Sequence, residues 1–268
     1  MTVNGMRRFT HYYFALRSRL DDCALNSRRR ALLPLLFLIR RLEAGFWNWQ
    51  GIRRVDCYGD SHIAPLWRLN ARYKNVRFVV NSVRGATALG VTNPNSKTNA
   101  LKIFAGLLKR SVRGGEQLFC LGEVDCGFLI WLLAQKRAES VEQLLDRAVD
   151  SYTGFIAQYR SAGEVLVLSA PLPTIRDGMV PGDVANLRRE VSASLNERTR
   201  LTLQFNRRVA GWCGTHGVEF IDLDELALDR QTGLLRESLH HADPANHHYD
   251  CAGFFELLAN SRFGKRYD

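Results

Sequence analysis

Five short runs of apolar and β-branched residues, each closing on glycine or a polar turn, are spaced between longer stretches of helical period. The first, Val55-Asp56-Cys57-Tyr58, runs into Gly59-Asp60-Ser61-His62, and a helical pattern from Ile63 to Tyr73 follows at once. The second run, Val76 to Val80, ends in the small-residue loop Asn81 to Gly90, with a helix expected over about 97–111. The third, Gln117 to Leu121, closes on Gly122-Glu123-Val124-Asp125. Apolar residues three and four apart from Ile130 to Tyr159 then predict helix over about 128–161. Glu164 to Ser169 is the fourth run, stopped by Pro171 and Pro173, with a Gly- and Pro-rich loop (174–183) and a helix over about 184–214 behind it. Gly217 to Asp222 is the fifth, and a helix over about 250–260 closes the chain. Strands alternating with helices predict a parallel, helix-covered sheet. Five of them fit a three-layer, flavodoxin-like α/β architecture with helices on both faces.

The first fifty residues read differently. They are helical in tendency, and residues 1–54 carry eleven arginines, no lysine and three acids, +8 of the chain's +10. The body that follows is nearly neutral, so the expected organisation is a basic helical arm (1–50) ahead of one α/β domain (51–268). Ala31 to Ile39 is less than half of the roughly 20 apolar residues that span a bilayer. Two readings stay open. The segment packs on the core with arginines in solvent and an interruption at Pro34, or residues 1–54, with Trp47 and Trp49, touch an anionic membrane surface. No aromatic-and-basic recognition module is visible, so no nucleic-acid partner is expected.

Composition narrows the class. With 46% apolar and 24% charged residues the chain is neither disordered nor fibrous. The six cysteines lack metal-type pairing, and Cys57 and Cys120 fall in expected strands, where a thiol acts as a small hydrophobe. About thirty mixed polar residues precede the first apolar run, so no signal peptide is expected. A reduced, cytoplasmic setting follows, peripheral to the inner membrane if the arm binds lipid.

Candidate chemistry gathers at the strand ends, where open α/β sheets bind ligands. Ser61 stands where a nucleophile would be useful, and a serine hydroxyl needs a positioned base and donors for the developing oxyanion. Gly85 follows the second strand, Gly122-Glu123-Val124-Asp125 the third, and Asp243 with His247 and His248 lies in a late loop. In this order the four blocks resemble those of the SGNH (GDSL-type) hydrolase superfamily, over roughly residues 52–262. Gly59-Asp60-Ser61 before His62 is the most specific match, and Gly122 to Cys126 is similar to a variant found in a bacterial subset. The resemblance implies Ser61 as nucleophile and first oxyanion donor and Gly85 as second. It implies a histidine of the 247–248 pair as general base and Asp243 as its orienting carboxylate. Two departures stand out. Val124 occupies the family's asparagine position and cannot donate; Asn93 or Asn95 would have to compensate. Asp243 lies four residues before His247 and five before His248, where the family has three. His248 fits the sequence that follows the family's histidine, and His247 fits the offset better.

The expected activity is a serine esterase that removes an acyl group, such as acetyl, from a carbohydrate through an acyl-enzyme on Ser61. The partner is then a small acylated substrate, with neither cofactor nor metal. His240, His241, His247 and His248 with Asp243 could supply imidazole and carboxylate ligands, but adjacent loop histidines specify no coordination geometry. Asp125 is expected to brace strand-end loops, and Glu123 to be structural or to contact substrate. Two alternatives remain: acyl transfer to a glycan, or a glycan-binding scaffold docked through its basic arm after losing its oxyanion donor at Val124.

Overall fold

The computed structural model describes residues 3–26, 32–110, 115–160, 163–178 and 191–268, with side chains from Tyr12 onward. Five parallel strands form one sheet: β1 (Arg53–Gly59), β2 (Val76–Ser82), β3 (Glu116–Cys120), β4 (Glu164–Leu168) and β5 (Glu219–Ile221). Their order is β2-β1-β3-β4-β5, the doubly wound arrangement expected from the sequence. Alternate residues of each strand enter different cores, which is what a sheet covered on both faces requires. Tyr58, Phe119, Leu121 and Val167 pack on one side; Val55, Cys57, Leu118 and Leu166 pack on the other.

The first core is closed by α3 (Ala100–Leu108), α5 (Val141–Ala157) and α6 (Leu195–His216). The second is closed by a 3₁₀ helix (Ser61–Ala71), α8 (Cys251–Asn260) and α9 (Arg262–Tyr267). A π turn (Asp125–Leu129), α4 (Ile130–Arg137), the short α7 (Asp224–Ala227) and a 3₁₀ turn (Glu237–Leu239) lie between these elements.

Several boundaries differ from the periodicity. The helix expected across 128–161 is broken: Ala138 turns left-handed at φ 53° and Ser140 restarts the chain with Gln143 as a reciprocal cap. Ser194 and Glu197 cap α6 in the same way, so it begins at Leu195, and residues 184–190 of the expected helix lie outside the described ones. Both S-x-x-Q/E signals are legible in the sequence, but the apolar period runs across them.

Residues 1–50 form α1 (Val3–Asn26) and α2 (Leu33–Trp49). Pro34 stands in the first turn of α2 and starts this helix rather than interrupting it, because that position needs no backbone donor. Both helices pack on the body. Ala24, Leu25 and Leu36 join the first core, and Phe14 and Trp47 pack with Val79 of β2. A buried ionic chain ties them together: Arg17 bonds Asp21 and Glu43, and Arg40 bonds Asp21 and Asn81 of β2. Asn26 clasps the end of β2 from both sides, donating to the Ser82 carbonyl and accepting from the Arg84 N–H.

Candidate active site

Ser61 is the first residue of the 3₁₀ helix, directly beyond the carboxyl end of β1. β1 lies between β2 and β3, so this is the point where the winding of the sheet reverses and the strand ends leave a crevice. The Gly-Asp-Ser turn has a local cause at each residue. A Cβ at Gly59 would stand 2.3 Å from the Cys120 carbonyl oxygen and 2.9 Å from Ile63 Cγ2, so only glycine lets β1, β3 and the helix converge. Asp60 caps the helix, its Oδ1 accepting from the His62 backbone N–H at 2.8 Å and lying 2.9 Å from His62 Nδ1. Ser82 Oγ donates to the Asp60 carbonyl at 2.8 Å, and the Val83 N–H to the Gly59 carbonyl at 2.9 Å, tying the next loop to the turn.

Ser61, Gly85, Val124, His247 and His248 line one cavity of about 1610 Å³. The Ser61 hydroxyl makes no hydrogen bond among the described residues. Gly85 has φ +69°, and a Cβ there would meet nothing closer than Thr98 Cγ2 at 3.7 Å. Its glycine is therefore explained by left-handed backbone and not by crowding. Asn93 and Asn95 line the cavity too, but Asn93 Oδ1 accepts from the Asn95 N–H within its own turn.

Asp243 does not join this group. It is exposed, its Oδ1 accepts from the Ala245 N–H at 3.0 Å, and it makes no bond to His247 or His248. The orienting contact expected of it is made by Asn246, whose Oδ1 accepts from the His248 backbone N–H at 3.0 Å and lies 2.9 Å from His248 Nδ1. An oxygen that accepts both contacts leaves the Nδ1 proton in place and puts the ring's lone pair on Nε2. The geometry repeats that of Asp60 and His62. In both, an Asx side chain two residues ahead of a histidine holds its backbone and its ring at once. Asp60-x-His62 and Asn246-x-His248 are readable in the sequence, whereas the resemblance points to Asp243 despite its different spacing.

His62, quoted in the motif without a role, is the other residue missed. Its ring centroid is 4.7 Å from that of His248 and 5.4 Å from that of His247. Its Nε2 is 3.2 Å from the His247 carbonyl oxygen and 3.5 Å from Glu123 Oε2. Glu123 is thus buried behind the site and is absent from the cavity lining. The ligand nitrogens of His62, His247 and His248 lie within 4.8 Å of one another. A tetrahedral zinc would draw such nitrogens to about 3.4 Å. His62 is buried among Asp60 Oδ1, the His247 carbonyl and Glu123, so its ring braces the histidine loop.

Asp125 braces the opposite rim. It is fully buried, and its two oxygens accept from the Ala88 N–H at 2.6 Å and the Leu89 N–H at 3.0 Å, fixing the loop that carries Gly85. Burial pushes its carboxyl up to about 7 despite those bonds. A raised carboxyl favours folding below its unfolded value of 3.8, and that contribution is lost as the pH climbs through about 7. The unfolding midpoint should therefore step down across that window, with a smaller step in Asp125→Asn. An identical pH profile in the variant would remove Asp125 as the cause.

The solved structures similar to this chain include three hydrolases. A GDSL-like lipase from Bacteroides thetaiotaomicron is 12% identical, with 80% of this chain and 86% of that one covered and a TM-score of 0.49. An extracellular lipase from Streptomyces rimosus is 17% identical, covering 78% and 99%, with a TM-score of 0.45. A catalytic mutant of Axe2, an acetylxylan esterase from Geobacillus stearothermophilus, is 14% identical, covering 80% and 93%, with a TM-score of 0.47. No family model and no curated protein matches the chain.

Proposed function

We propose that this chain is a serine ester hydrolase that removes an acyl group from a carbohydrate. The observation that carries the reading is the meeting of Ser61, the Gly85 loop and a tautomer-fixed His248 in one cavity at the crevice of the sheet. Ser61 Oγ attacks the ester carbonyl while His248 Nε2 takes its proton. The Ser61 and Gly85 N–H groups receive the developing oxyanion. The alkoxide leaves with the proton from His248, and water, activated by the same nitrogen, releases the acid and restores the serine. Ser61 or His248 must rotate into contact for the first step, a tightening common once substrate is bound.

The carbohydrate is supported by the cavity. Its volume of about 1610 Å³ exceeds the roughly 300–1,000 Å³ of sites for single small molecules. Asn95, Ser96 and Thr98 on its wall suit hydroxyl groups. The test is stoichiometric labelling of the intact protein by a fluorophosphonate, followed by acid release from acetylated oligosaccharides and from a small acetyl ester. Absence of labelling would overturn the hydrolase reading. It would favour the scaffold alternative, which Val124 supports by leaving the cavity without the family's amide donor. Transfer of the acyl group to an added glycan would instead mark an acyltransferase.

The histidine loop gives a second test. Asn246→Ala frees the His248 ring and should lower kcat on the order of 10-fold or more with KM little changed. Asp243→Asn, altered only in its own turn, should stay within about 2-fold. The reverse ranking would return the orienting role to Asp243.

A further inference from the structure

Every strongly exposed large apolar side chain among the described residues belongs to α1 or α2. On α2, Leu35, Leu38, Leu42, Phe46 and Trp49 follow a spacing of three or four and make one stripe along the helix, with Trp49 80% exposed. The opposite side of α2, through Leu36, Arg40 and Trp47, is buried against the body. α2 is therefore apolar on two sides, and packing explains only one. Leu16 and Leu20 of α1 are exposed as well.

We infer that this outer face docks the chain on an anionic lipid surface. Charge decides the occupant. Residues 1–50, which carry both helices, hold nine arginines and three acids, net +6, and Arg19 and Arg41 are exposed without an ion pair among the described residues. A second copy seated on the same face would bring two such segments together, whereas anionic headgroups neutralise them. The 17 residues of α2 make a rod of about 25 Å, suited to lying in the headgroup region with its stripe toward the acyl chains. No helix among the described residues is long and apolar enough to cross a membrane. Ser18, Arg19 and Asp22 of α1 also line the cavity of Ser61. The inference is independent of the hydrolase reading, because nothing in it uses Ser61 or a histidine.

The experiment is flotation of the full chain with vesicles of three parts phosphatidylcholine to one part phosphatidylglycerol, and with phosphatidylcholine alone. Binding to the anionic vesicles is expected, weakened in high salt and lowered about 10-fold or more by Leu38→Asp with Leu42→Asp. Leu38 and Leu42 are 56% and 67% exposed and belong to no buried core, so the variant should keep its circular dichroism and unfolding midpoint. No flotation on anionic vesicles would overturn the inference. So would equal binding by the variant, or a wild-type dimer that the same two substitutions disperse while neither protein floats.

Discussion

Ser61→Ala is expected to lower hydrolysis of a small acetyl ester by on the order of 10⁴-fold or more. It should abolish fluorophosphonate labelling and leave the unfolding midpoint where it was. The separation of effects follows from the structure. The hydroxyl has no hydrogen bond to lose among the described residues, and the residue is held by backbone and by the Asp60 cap, which the substitution leaves alone. His248→Ala should cost about as much, and the double variant should be no slower than either single one, since nucleophile and base act as one unit. Additive losses would separate the two residues mechanistically, and retained turnover in Ser61→Ala would remove the serine from the reaction.

The second large effect falls on stability. Gly59→Ala should destabilise the fold by about 3 kcal/mol or more, beyond the usual range for an added methylene. The clashing atom is a backbone carbonyl, Cys120 O, in the neighbouring strand. Yielding would mean parting β1 from β3 where Gly59 pairs with Cys120. Denaturant unfolding reads the loss directly. A change below about 1 kcal/mol would show that the strand ends can separate there. The glycine ahead of Asp60 and Ser61 is therefore required by the sheet itself.

The architecture was legible because it rests on period. Val55, Tyr58, Leu118 and Val167 sit in runs that alternate between two cores, and the helices between them leave little choice beyond a parallel sheet. Ser61, Gly85 and the histidine pair were placed by local punctuation at strand ends, and the structure gathers them in one cavity. The resemblance offers Asp243 as the carboxylate ahead of the histidine pair, whereas the contact to His248 Nδ1 is made by Asn246 through a short Asx turn without any long-range signal. His62 was missed for a related reason. Its partners, Glu123 and the His247 carbonyl, come from distant segments that only the folded sheet brings together. The basic arm was read from its charge, its short apolar run and its tryptophans. What sequence hid was pairing: Arg17 and Arg40 are spent on Asp21 and Glu43 inside the molecule, and the free cations are a smaller set at the surface.

The wall that α1 contributes to the cavity has a consequence for the order in which the molecule comes into being. Chains emerge and begin to fold from the N-terminus. The α1 wall is thus synthesised before Ser61, and Ser61 well before His248. A chain made only as far as α6 holds Ser61 without His248, and the cavity that gathers the two is complete only when the histidine loop and α8 dock.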